Sequence, residues 1–308
     1  MDSLYVRRVS RWKHLWRHVA GYAVRRLGKT ARRGNLPRLA VIAHDQIGDA
    51  VVIDGRYETD VLDAILEWLL PRAVPDHRTV VALDVGANIG NHALAFAPLF
   101  AKVLAFEPNP IALHLLRANV ALNAVSNIEI YACGLGDTDG EYPYATVPDN
   151  LGGGRFLSGR ALSSNGPIFD VRNGDALLSR REEGQRIGLV KVDVEGMEAS
   201  VFQGLSKTLQ EHRPVVLFEA LTPEACVTNT NALRALGYTH FFAVERRDSY
   251  LPFAPLRMAI RLIRGADVLV MPLVPSTQGA HGMLVATVGA GWISRRELNC
   301  ARHATPEQ

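Results

Sequence analysis

Residues 83–90 read Leu83-Asp84-Val85-Gly86-Ala87-Asn88-Ile89-Gly90, at the end of an apolar run and directly ahead of a stretch with helical spacing. An apolar strand that breaks on glycine and resumes as a helix is the βα step of a parallel sheet, and it leaves Asp84 at the tip of the strand. The glycines let the backbone turn sharply and approach a ligand closely. A dinucleotide fingerprint needs G-x-G-x-x-G, but positions 88 and 91 are both Asn, so no pyrophosphate cradle is spelled out. The D-x-G-x-x-x-G form instead suits a ligand with an amino-acid end, whose ammonium group pairs near a carboxylate.

The next apolar run ends in Ala105-Phe106-Glu107-Pro108-Asn109-Pro110. An acid about 20 positions past the glycine turn, at the tip of the second strand, is placed to accept both hydrogen bonds of a ribose diol. Glu107 thus implies an adenosine-type ribose, while the loop argues against a dinucleotide. S-adenosylmethionine meets both conditions.

Working outward, the chain keeps alternating strand and helix. Val80–Val85, Lys102–Phe106, Ile128–Cys133, Ile187–Val194, Pro214–Glu219 and Thr239–Val244 read as strands. Helices are predicted over Ile89–Leu99, from an Asn109 N-cap with Pro110 at the first helical position, over Met197–Leu209, and through Ala232–Leu236. Upstream, Val51–Ile53 reads as part of an opening hairpin and Val61–Leu70 as a covering helix. Residues 137–167, rich in Gly, Asp, Ser and Pro, are expected as a long irregular stretch. Met283–Val288 is expected as a late edge strand, and residues 250–281, with four prolines, carry no clear pattern.

Chemistry concentrates in Lys191-Val192-Asp193-Val194-Glu195-Gly196. Side chains alternate along a strand, so Asp193 and Glu195 fall on one side of the carboxyl edge, where open α/β sheets bind ligands. Two neighbouring carboxylates raise at least one pKa, which suits a general base near neutral pH. They suit a divalent cation held through oxygen equally well. A purely structural reading has Glu195 or Glu198 capping the following helix. His92, just past the glycine loop, is a further candidate base. Asp137, after the third strand, is placed to accept from an adenine amino group or to serve as a turn residue. Tyr57 and Glu58 are candidates to close over the methionine end of the ligand, and Tyr142, Tyr144 and Phe156 to line an acceptor pocket.

With these stretches in view, the sequence resembles the FkbM family of S-adenosylmethionine-dependent methyltransferases: LDVGANIGN at 83–91, AFEPNP at 105–110, KVDVEGME at 191–198 and RPVVLFE at 213–219. The resemblance implies a class I, Rossmann-like methyltransferase fold, with a mostly parallel seven-stranded sheet and helices on both faces. It also implies O-methylation of a hydroxyl on a sugar, glycolipid or secondary metabolite. Residue by residue, it places Asp84, Gly86, Asn88, Gly90 and Glu107 at the cofactor and Asp193 and Glu195 beside the transferred methyl group; Asn91 and Asp137 are further cofactor-binding candidates.

Composition bounds the rest. The 308 residues are 48% hydrophobic and 21% charged, enough for a buried core and incompatible with disorder. Three widely spaced cysteines, Cys133, Cys226 and Cys300, fit neither a disulfide framework nor a cysteine-rich zinc site, and a reducing cytosol is the simplest compartment. The net charge of +3 conceals a division. Residues 1–38 hold eleven Lys or Arg against Asp2 alone, or +10, which leaves 23 bases against 30 acids in the remainder, or −7.

Such a body lacks the basic face of a nucleic-acid enzyme, and no D/N-P-P-Y-like motif of the base-modifying enzymes is found. In the extension, Trp12, Leu15, Trp16, Val19, Ala20, Ala23 and Leu27 make an apolar stripe at helical spacing among the basic residues. This basic amphipathic helix has two readings: peripheral contact with an anionic membrane at its inner face, or packing on the body or a second subunit. No run is long enough for a membrane span or a signal h-region. The organisation expected is an extension at 1–38, a methyltransferase-like domain at 39–290 and a tail at 291–308. Rival functions are a nicotinamide-dependent oxidoreductase, disfavoured by the missing central glycine, and a non-catalytic binding protein that keeps the fold.

Overall fold

The computed structural model describes residues 19–22, 26, 36–147, 150–156, 166–180, 185–246, 268–273 and 281–293. Of the basic extension, residues 19–22 are helical, and the rest of the expected amphipathic helix lies outside the described residues, as do most of 250–281.

Eight strands form the main sheet: β1 (Val81–Val85), β2 (Lys102–Phe106), β3 (Ile128–Tyr131), β8 (Ile187–Val192), β9 (Val215–Ala220), β10 (His240–Arg246), β11 (Val268–Pro272) and β12 (His281–Thr287). Their spatial order is β11-β10-β12-β9-β8-β1-β2-β3. From β3 to β9 every pairing is parallel, while β12 runs antiparallel to both β9 and β10, and β11 antiparallel to β10. The seven strands of the expected mostly parallel sheet are thus present, and β11 adds an eighth at the edge. The expectation that Met283–Val288 closes the sheet as an edge strand is corrected, because β12 is inserted between β9 and β10. Met283, Leu284, Val285 and Ala286 are all buried, which is the pattern of an interior strand covered on both faces.

A second sheet, in the order β4-β7-β5-β6, is built from β4 (Gly134–Gly136), β5 (Gly140–Val147), β6 (Asn150–Phe156) and β7 (Ile168–Asn173). It corrects the expectation of an irregular stretch at 137–167, for β5 and β6 form an antiparallel hairpin. Gly, Asp and Pro mask a strand in the composition, and the hairpin takes its order from pairing β5 against β7.

The helices are α1 (Gln46–Asp54), α3 (Asn91–Phe96), α4 (Pro110–Leu122), α5 (Gly174–Leu178), α6 (Glu198–Gly204), α7 (Ser206–His212), α8 (Pro223–Ala235) and α2, which runs from Thr59–Asp63 through a π-helical Ala64–Leu69 into Leu70–Ala73. The expected hairpin at Val51–Ile53 is instead part of α1, whose N-cap Asp45 accepts from the backbone of Ile47 and Gly48. Asn109 caps α4 as expected, with Pro110 at its start. The sheet is buried on both faces: Val103, Ala105, Leu189 and Leu217 pack toward α2 and α3, while Leu104, Phe106, Val190 and Phe218 pack toward α6 and α7. Trp292 stands edge-on to Trp68 of α2 and Phe242 of β10.

Two asparagines, Asn119 on α4 and Asn123 at its C-cap, hold the chain that leads into the domain. Asn123 exchanges two 2.8 Å hydrogen bonds with the backbone of Arg38. One turn earlier, Asn119 accepts from Ala40 N and donates to Ala40 O, and its remaining N–H goes to Ile89 O at 2.8 Å. A side-chain amide carries the same donor and acceptor as a peptide, so the pair acts as a short strand partner for residues 38–40.

Candidate active site

At the carboxyl edge of the parallel strands lies a cavity of about 540 Å³, a size typical of small-molecule sites. Its floor is the loop between β1 and α3. Gly86 sits at φ +78°, and a Cβ there would overlap the carbonyl oxygen of Asp193. Asn88 adopts φ +50°, and its buried Oδ1 has no hydrogen-bond partner among the described residues. Gly90, at φ +91°, lies behind the cavity lining, and a Cβ there would press on Leu116 Cδ1.

Glu107 stands at the tip of β2, buried, with Oε2 accepting from Asn88 N at 2.7 Å and Oε1 from Asn109 N at 2.8 Å. Burial pushes its pKa up to about 7, against the pull of these two N–H groups. Each oxygen retains a second lone pair, so a diol can still be bound while the backbone fixes the carboxylate's orientation. Loop and acid together fit an adenosine ribose, and the unpartnered Asn88 oxygen offers a further polar contact.

Beneath the loop the structure departs from expectation. Asp84 is completely buried and is absent from the cavity wall. Its partner is not a ligand ammonium but the chain's own Lys191, which stands opposite it across β1 and β8. Lys191 Nζ lies 3.3 Å from Asp84 Oδ1 and 3.1 Å from Asp193 Oδ2, and donates to Gly86 O at 3.1 Å. Burial works against the charge on Lys191, but Asp193 and Asp84 more than offset it and hold the ammonium above its ordinary pKa.

Asp193 and Glu195 both line the cavity. Glu195 is held at φ +53° beside Gly196 at +99°, in a turn closed by the Gly196 N–H donating to Glu198 Oε1 at 3.0 Å. Two more carboxylates join them: Glu58, just ahead of α2, and Glu219 in β9. Burial, reinforced by neighbouring carboxylates, raises Glu58 and Glu195 to about 7 and Glu219 to about 9. Sequence reasoning missed Lys191 and Glu219, although both signals were present. Lys191 is two residues from Asp193 on a strand, hence on the same side, and Glu219 lies near the carboxyl end of an apolar strand.

Other expected residues fall elsewhere. Asn91 does not reach the cavity; its amide accepts from Tyr57 N and donates to Tyr57 O, both at 3.1 Å, and so pins the Tyr57–Glu58 segment over the loop. His92 is buried behind the wall, its ring tilted against that of Phe96, with Nε2 3.6 Å from Glu58 Oε2. Burial, with Lys191 and Arg56 nearby, lowers its pKa well below the ordinary value, so it is neutral near pH 7. Asp137 is exposed outside the cavity, where Oδ1 accepts from Ser200 Oγ at 2.8 Å. Tyr144 lines the cavity beside Phe169, Tyr142 hydrogen-bonds Thr138 instead, and the Phe156 side chain lies outside the described residues. Among the described residues no group of three or more His, Cys, Asp or Glu is arranged to hold a metal ion, and none of the helices is long and apolar enough to cross a membrane.

Comparison with known proteins places this site in a family. A model of the methyltransferase FkbM domain matches residues 84–239, which take in the loop, Glu107, Asp193 and Glu219. Methyltransferase 1 of Beauveria bassiana is 28% identical over 211 residues, covering 60% of this chain and 81% of that protein. The hexuronic acid methyltransferase AglP of Haloferax volcanii is 32% identical over 164 residues, covering 53% of this chain and 63% of that one. A crystal structure of methyltransferase FkbM from Methylobacillus flagellatus is similar at 18% identity with a TM-score of 0.45, over 88% of this chain and 60% of that chain. With the glycine loop and Glu107 inside the matched region, the chain belongs to the FkbM family of S-adenosylmethionine-dependent methyltransferases.

Proposed function

We propose that the enzyme methylates a hydroxyl group of a sugar, glycolipid or secondary metabolite, with Asp193 as general base. When bound, S-adenosylmethionine supplies a methyl group already activated by its sulfonium. The chain's own residues then have two tasks: to align the acceptor oxygen and to take its proton. Glu107, Asn88 and Gly86 hold the adenosine side of the cavity.

The observation that carries the assignment is the Lys191 ammonium, 3.1 Å from Asp193 Oδ2. It makes Asp193 the cavity carboxylate whose position is fixed by a cationic partner, while His92 lies behind the wall. As Asp193 accepts the hydroxyl proton, the nearby ammonium keeps the carboxylate oriented. The acid sugar in the name of the Haloferax relative makes sugars the first acceptors to screen.

The test is transfer of labelled methyl from S-adenosylmethionine to a panel of glycans, glycolipids and hydroxylated metabolites. Asp193→Asn is expected to keep cofactor affinity and to lose about 10²-fold or more in turnover. Unchanged turnover in that variant would move the role to another group.

A further inference from the structure

We propose that the acceptor wall of this cavity excludes anions, so that the compound receiving the methyl group presents a neutral or amine-bearing polyol surface rather than a carboxylate or phosphate. The inference rests on reading the cavity as the site of methyl transfer. Among the described residues that line it, five are acids, Glu58, Glu107, Asp193, Glu195 and Glu219, and none is Lys, Arg or His. Glu107 belongs to the ribose end, where two backbone N–H groups fix it. The other four converge from three parts of the fold: the start of α2, the turn after β8, and β9.

The ammonium nearest to them is not part of the cavity wall. Lys191 Nζ donates to Gly86 O at 3.1 Å and lies within ion-pair distance of Asp193 Oδ2, at 3.1 Å, and Asp84 Oδ1, at 3.3 Å. Its side chain is 2% exposed. Arg246, which acts on Glu58 from a distance, is paired with Asp60 at 3.4 Å and is not part of the wall. Beyond these, the charged groups acting on Glu58, Glu195 and Glu219 are one another, Asp193 and Glu198.

An acidic wall of this kind treats ligands by charge. An incoming anion meets like charge and, among the described residues of the wall, no donor cation, and it forces neighbouring carboxyl groups to keep their protons. A cation relieves the repulsion. The sulfonium of the cofactor relieves part of it, and an amine on the acceptor relieves more. A neutral hydroxyl meets acceptors on ionised carboxylates and a donor on a protonated one. Burial first, and the neighbouring carboxylates after it, push Glu58, Glu195 and Glu219 toward protonation.

Anchored probes test this without knowledge of the natural acceptor. In analogues of S-adenosylhomocysteine the thioether sulfur is replaced by nitrogen, which carries a 2-aminoethyl, 2-hydroxyethyl or carboxymethyl arm where the acceptor would lie. The full chain is titrated with each by calorimetry near pH 7.5, with S-adenosylhomocysteine as control. The aminoethyl probe is expected to bind about tenfold or more tighter than the carboxymethyl probe, with the hydroxyethyl probe between them. Glu219→Gln and Glu58→Gln should each narrow that spread. A carboxymethyl probe that equals or exceeds the hydroxyethyl probe, or a spread untouched by both substitutions, would overturn the proposal. Failure of S-adenosylhomocysteine itself to bind would remove the cofactor reading and this inference together; control binding without a spread would remove the inference alone.

Discussion

The ammonium of Lys191 lies 3.1 Å from the carboxylate of Asp193 and 3.3 Å from that of Asp84. One buried cation is thereby shared between a residue inside the fold and a residue of the cavity wall. Removing one partner from a buried ionic group leaves the others uncompensated, which costs about 3–5 kcal/mol. Lys191→Met is expected to lose stability on that scale in urea denaturation. The double variant Asp84→Asn with Lys191→Met, in which one stranded carboxylate is neutralised, should recover a measurable part of it. Equal stability of wild type and Lys191→Met would show that the triad carries no weight.

Gly86 is the tightest point of the cofactor loop. A side chain there meets the backbone carbonyl of Asp193 and must also adopt φ +78°. Gly86→Ala is expected to weaken S-adenosylhomocysteine binding by more than about tenfold and to lower stability by about 1–3 kcal/mol. Calorimetry and thermal unfolding on the same sample read both effects.

Raised carboxyl pKa values also set a pH dependence with a definite sign. In the folded chain Glu58, Glu107 and Glu195 hold protons up to about pH 7 and Glu219 up to about pH 9, which the unfolded chain has released by about pH 4.5. The folded state binds more protons over this window, so its stability falls as pH rises through it. His92 has the opposite sign, but only below its ordinary value of 6.5. The melting temperature of the cofactor-free chain should therefore drop between about pH 7 and pH 9, and Glu219→Gln should flatten that drop. A rising or level profile in the wild type would contradict the carboxylate cluster.

Asp137 and Asn91 separate contact with the cofactor from support of it. Asp137 is turned toward Ser200, so Asp137→Ala should leave cofactor affinity within about twofold of wild type. Asn91 holds the Tyr57 backbone through two hydrogen bonds, each worth about 1 kcal/mol net. Asn91→Ala is thus expected to raise proteolytic cleavage around residues 55–59 more than it lowers cofactor affinity. The converse result would return Asn91 to the cavity.

Much of the framework was legible because its signals are local. Lys102–Phe106 is a strand with the expected bounds, and Asn109-Pro110 starts α4 as its residue types require. The loop at 86–90 announces its left-handed turns through two glycines and an asparagine. What escaped depends on distant pairing. The hairpin of β5 and β6 carries Pro143 and three successive glycines, and only β7 alongside makes it a sheet. The place of β12 inside the sheet is fixed by β9 and β10, not by its own composition. Asp84 and Asn91 sit in a motif that marks the site, yet motif membership does not say which side chain points outward. That was decided by Lys191, which is 107 positions from Asp84 in the chain and directly opposite it in the sheet.

The amide of Asn119 reaches in two directions. It grips Ala40, where the chain enters the domain, and Ile89, within the loop that floors the cavity. The same helix begins at Asn109, whose backbone N–H fixes Glu107, so its 13 residues, about 20 Å long, join all three points as one rigid rod. Residue 40, the loop at Ile89 and Glu107 are thus tied to one helix. A tilt of that rod would move all three at once, so the segment at residues 38–40 and the floor of the cavity would keep or lose their alignment together.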